Sequence, residues 1–121
     1  MRRKNTTTEM MMGYMCSALL ELMLEKDYTK ISIGEIAKKA EVDRSSYYRH
    51  FKSKEDIISF FFDMVLKESL DGFTNLSSID FTLYIHSIYM AFYNYKKEVL
   101  LIYHSNLSSL LLDVLSKRFQ F

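Results

Sequence analysis

The chain has 121 residues, with no proline, no tryptophan, three glycines and one cysteine. A hydrophobic fraction of 49%, a charged fraction of 26% and a net charge of +1 exclude an intrinsically disordered chain. So few turn-formers count against a β-sandwich or barrel, and no glycine-rich phosphate loop points to an α/β fold, so composition predicts an all-α protein.

In chain order, Arg2, Arg3 and Lys4 form a basic start with no apolar signal core directly behind it. Thr6-Thr7-Thr8-Glu9 reads as a capping box, with Thr6 as the cap. Met12, Met15, Cys16, Leu19, Leu20, Met23 and Leu24 then recur at helical spacing, predicting a helix to about Lys26. Cys16 lies inside that stripe and reads as a packing thiol. As the lone cysteine it excludes an intrachain disulfide.

Ser32-Ile33-Gly34-Glu35 is a second capping box, ahead of a short helix whose inner face is Ile33, Ile36, Ala37 and Ala40. Glu41-Val42 links it to a third helix, Arg44 to His50, with Asp43 as cap and Phe51 as an apolar anchor. Ser53 caps a fourth helix from Lys54, carrying Ile57, Ile58, Phe61, Phe62, Met64, Val65 and Leu66 and ending between Leu70 and Gly72. A loop is expected over residues 73–79, and Asp80 as the cap of a fifth helix to about Tyr95. That helix is apolar on more than one face, which predicts extensive burial. Lys96 to Tyr103 reads as a sixth helix, and Leu107 to about Arg118 as a seventh capped by Ser105 or Asn106. The longest uncharged stretch, Phe81 to Tyr95, is too short and too polar to span a bilayer. A soluble, cytoplasmic protein with no membrane partner is the expectation.

Charge is unevenly spread. From Tyr28 to Lys54 there are seven basic and three acidic residues, whereas from Ile57 onward there are five basic and six acidic. Two short helices joined by a tight link, the second exposing polar and basic groups, read as helix-turn-helix. The second would lie in a DNA major groove and present Arg44, Ser45, Ser46, Tyr48 and Arg49. Ser32 and Lys54 each stand at a helix N-terminus, where backbone N–H groups and the helix dipole favour phosphate.

The run Tyr47-Tyr48-Arg49-His50-Phe51-Lys52-Ser53-Lys54-Glu55 carries a specific resemblance, together with Ile33, Ile36-Ala37, Ala40 and Val42. The segment from about Thr8 to Phe62 resembles the DNA-binding domain of the TetR (tetracycline repressor) family of transcription regulators. The resemblance implies a helix-turn-helix domain over residues 1–52 and a helical regulatory and dimerisation domain over 53–121. It implies that Ser32, Tyr48, His50 and Lys54 contact phosphates, while Arg44, Ser45, Ser46 and Arg49 face base edges. The expected partners are a double-stranded DNA operator, a second copy of the chain and a small-molecule effector, with no cofactor. Two departures stand out. Glu41 replaces a glycine found in many members, which predicts a link without strict positive φ, and Ser45-Ser46 replace a glycine-led pair. Members usually continue beyond the point where this chain stops, so the second domain is expected to be incomplete.

Each assignment has a simpler counterpart. Tyr48 is otherwise a surface aromatic, Arg49 a partner for an acid, and His50 a cation favoured at a helix end. Lys38 and Lys39 read as a solvated face, and Tyr47 as packed on the first helix. Tyr84, Tyr89, Phe92, Tyr93 and Tyr103 are candidates to line an effector pocket, or are packed helical core. His86 and His104 have no short-range metal-ligand spacing, and no catalytic constellation is visible. The rivals to a DNA-binding regulator are a helical protein–protein adaptor and a small-molecule sensor.

Overall fold

The computed structural model describes residues 7–70 and 81–119. Among them are seven α-helices and one 3-10 turn, with no strand. The helices are α1 (Thr8–Glu25), α2 (Ile33–Ala40), α3 (Arg44–His50), α4 (Lys54–Leu70), α5 (Phe81–Asn94), α6 (Lys96–His104) and α7 (Ser109–Phe119), with the 3-10 turn at Tyr28–Lys30. The all-α reading holds. No single described helix is long and apolar enough to cross a membrane.

α1 begins one residue later than the sequence suggests. Thr7, not Thr6, is the cap, and its hydroxyl oxygen accepts from the Met10 amide at 3.2 Å. Thr6 lies outside the described residues, as do the Arg2–Lys4 arm, the loop at 73–79 and Asp80. The α1 stripe is also rotated. Met15, Cys16, Ala18, Leu19, Leu22 and Met23 are buried, while Leu24 is 76% exposed. Burial raises the Cys16 thiol pKa to about 12, which keeps it protonated and inert, as a packing thiol should be.

Ile36 and Ala40 of α2, Tyr47 of α3 and the trailing Phe51 share one buried cluster with α1. α4 is the central element. Ile57, Ile58, Phe61, Phe62, Val65 and Leu66 are all buried, in one cluster with α1, α2 and α3. Ile102 of α6 and Val114 of α7 join the same cluster. The core is therefore continuous from the first helix to the last.

α5 overturns the expectation of extensive burial: none of its residues is buried. It rests on α4 through Phe92 against Phe62, with ring centroids 6.4 Å apart. Just beyond its end, Tyr95 packs edge-on to Phe61 at 5.7 Å and donates from its hydroxyl to Glu68 at 2.9 Å. Phe81, Leu83, Ile85, Tyr89, Met90 and Tyr93 remain exposed. Apolarity all round predicts burial only where neighbours surround a helix, and here α4 supplies one wall.

The α6–α7 corner departs from the sequence reading too. Neither Ser105 nor Asn106 caps α7. Ser105 Oγ donates back to Leu101 O at 3.0 Å, and Asn106 adopts a left-handed conformation at φ 62° that ends α6. The next helix opens at Ser109, two residues later than expected, with the Leu111 amide donating to Ser108 O at 3.0 Å. Arg118 near its end pairs with Asp63 of α4 at 2.7 Å.

Candidate nucleic-acid interface

α2 opens on the expected capping box. Ser32 Oγ accepts from the Glu35 amide at 3.1 Å, and Glu35 Oε1 accepts from the Ser32 amide at 3.1 Å. The Glu35 carboxylate also accepts from Lys26 Nζ at 2.8 Å. The Lys26 contact, followed by the Ser32 amide, holds the Glu35 carboxyl below its usual pKa. Because Ser32 Oγ serves as an acceptor here, its O–H remains available to donate at an exposed helix N-terminus.

The link after α2 is tighter than expected. Glu41 sits in the left-handed region, at φ 60° and ψ 41°, although it is not glycine. This corrects the expectation of a link without strict positive φ at this position. The Val42 amide reaches back to Ala37 O at 3.0 Å and the Glu41 amide to Lys38 O at 3.1 Å, so a Schellman-type closure offsets the local strain. Asp43 occupies the cap position of α3 without a side-chain capping hydrogen bond. The chain thereby turns into α3 within three residues.

α3 is anchored from beneath and open above. Tyr47 is fully buried, with Phe51 5.8 Å from it by ring centroids. Burial pushes its phenol pKa up to about 12. Arg44, Ser45, Tyr48 and Arg49 are exposed at spacings that place them on one helical face, and Tyr48 is 56% exposed. Arg49 makes no ion pair among the described residues. Ser46 is half-buried. Arg44 does not project freely: its guanidinium lies over Gly34, about 3.6 Å from where a Cβ would stand. Lys38 and Lys39 are exposed, as a solvated face requires, with Lys39 3.5 Å from Glu21.

His50 and Lys54 sit differently from the other candidates. His50 is half-buried and lines a groove of about 630 Å³, whose far wall is Val114, Lys117 and Arg118 of α7. Lys54 opens α4, with Ser53 Oγ accepting from the Asp56 amide at 3.3 Å. Its ammonium donates to Tyr28 O at 2.8 Å and stands 4.3 Å above the Tyr28 ring. The Tyr28 hydroxyl donates to Glu55. Burial first, and then Glu55, drive the Tyr28 phenol pKa far above the usual range. Tyr28 lies 26 positions from Lys54 and 27 from Glu55, separations that no local pattern signals.

The proposed effector residues do not converge. Tyr89 and Tyr93 stack at 6.3 Å on the exposed face of α5, Tyr103 is 60% exposed beside His104, and Phe92 packs on Phe62. Tyr84 is half-buried on α5. The groove beneath α3 is lined by other side chains altogether.

A short helix, a tight left-handed link and a second helix with an exposed polar face define a helix-turn-helix domain. Residues 16–59 match the bacterial regulatory proteins of the tetR family. This N-terminal unit is similar to the helix-turn-helix domain of that family. A curated relative, the "Uncharacterized HTH-type transcriptional regulator YxbF" of Bacillus subtilis (strain 168), is 32% identical over 62 residues. The match covers 50% of this chain and 16% of the relative's length. No solved structure matches the chain.

Proposed function

We propose that the chain is a DNA-binding transcription regulator of the repressor type, cytoplasmic and without catalytic activity. α3 lies in the major groove, Arg44, Ser45, Ser46 and Arg49 face base edges, and Ser32, Tyr48, His50 and Lys54 contact phosphates. Residues 1–52 act as the reading head and 53–121 as a regulatory and dimerisation region. A homodimer reads a palindromic operator with its two recognition helices about 34 Å apart. An effector acting on the C-terminal helices shifts α4 and so changes that spacing. The observation that carries the reading is the exposed polar face of α3, set on a buried Tyr47–Phe51 anchor inside a segment similar to tetR-family regulators. The exposed apolar side chains of α5 favour a second copy as partner over a monomer.

Titration of a mixed-sequence duplex at two salt concentrations tests this. Affinity is expected to fall steeply as salt rises. Lys54→Ala is expected to weaken all sequences alike, and Arg44→Ala to flatten the preference among them. Affinity that ignores salt, or both variants binding as the parent does, refutes the reading and favours the adaptor.

A further inference from the structure

The lysine at the head of α4 is held, and the grip is closed. Tyr28 is 8% exposed and is bound at both ends by consecutive residues of α4: its carbonyl by Lys54 and its hydroxyl by Glu55. The ring between those ends lies under the ammonium at 4.3 Å. We propose that Tyr28 and Glu55 are positioning residues that fix the Lys54 ammonium in place for a DNA backbone phosphate. The proposal rests on the DNA-binding reading above and deepens it.

The physical reason is entropic. A free lysine side chain gives up most of its rotamer freedom when it binds. Lys54 has surrendered that freedom on folding, because its stem is half-buried and its head is seated on a carbonyl and a ring. An ammonium that gives one N–H to a carbonyl still has others to give. The Tyr28–Glu55 bond in turn fixes the seat, because without it the 3-10 turn at Tyr28–Lys30 can shift against α4.

The test separates this arrangement from mere stability. Tyr28→Phe removes the hydroxyl and keeps both the ring and the carbonyl. Duplex affinity is measured for the parent, Tyr28→Phe, Lys54→Ala and the double variant. Tyr28→Phe is expected to weaken binding by about three- to tenfold in the parent. In the Lys54→Ala background it is expected to have no further effect. Glu55→Gln, which keeps an acceptor for the hydroxyl, is expected to bind more tightly than Glu55→Ala. Equal losses in both backgrounds, or no loss in either, overturn the proposal. A second measurement needs no DNA: proton exchange at the lysine ammonium groups, followed by nitrogen NMR. Exchange at Lys54 that is slow relative to exposed Lys38, and accelerated by Tyr28→Phe, supports the clamp. Exchange as fast as at Lys38 in the parent overturns it. A parent with no salt-dependent duplex affinity refutes the DNA reading and the phosphate role with it, while the NMR still decides whether the clamp exists.

Discussion

α2 and α5 invert the usual link between composition and burial. α2 carries Lys38, Lys39 and Glu35, yet buries Ile36, Ala37 and Ala40 completely. α5 holds no Asp, Glu, Lys or Arg, yet none of its residues is buried. The difference lies in what surrounds each helix. α2 is sandwiched between α1 and α3 and is capped at both ends by its own sequence. α5 meets the core through Ile88, Ala91 and Phe92, all only half-buried. Apolar spacing says which face seeks cover, and the neighbours decide whether cover is found.

The contrast is sharpest in the energetics of an isoleucine. Ile57 is fully buried, so Ile57→Ala is expected to cost about 2–5 kcal/mol in urea unfolding. Ile85 is 47% exposed in the single chain, and Ile85→Ala is expected to change the stability of the dilute monomer by no more than about 0.5 kcal/mol. Comparable losses at the two sites would mean that α5 is covered in solution. Next in size is Ser32→Ala, which removes a capping bond and is expected to cost about 1 kcal/mol of thermal stability. A neutral result would show that the end of α2 is held by tertiary packing alone. Tyr47 buries a hydroxyl without a hydrogen-bond partner among the described residues, so Tyr47→Phe is expected to be neutral or to stabilise by about 1 kcal/mol. A clear loss would show that the anchor under α3 is polar after all.

The smallest effect is on pH dependence. The folded-state pKa of Glu35 is lowered from 4.5, so its contribution is present above that value and is lost as pH falls through the lowered pKa. Glu35→Gln is expected to flatten the acid limb of a stability–pH curve. An unchanged curve would show that the Lys26 contact carries nothing in solution.

Much of the reading head was legible because its signals are local. The Ser32–Glu35 box, Ser53 at the head of α4 and the inner face of α2 are spaced within single turns, and a turn is enough to make their bonds. Glu41 was misread because its strain is tolerated through backbone bonds to Ala37 and Lys38, which composition does not announce. Leu24 was misread because a stripe fixes a helix face only to within a residue or so of rotation, and α2, α4 and α6 choose the final angle.

The sequence alone determined that the chain is helical, that its basic residues concentrate between Tyr28 and Lys54, and that α3 shows polar groups above an aromatic anchor. Those properties depend on residues a few positions apart. Only the tertiary structure decided that α5 stays exposed, that Arg44 rests on Gly34, and that Tyr28, itself bound by Glu55, grips Lys54. Each of these is a meeting of separate elements, and the packing of α4 against its neighbours sets which ones meet.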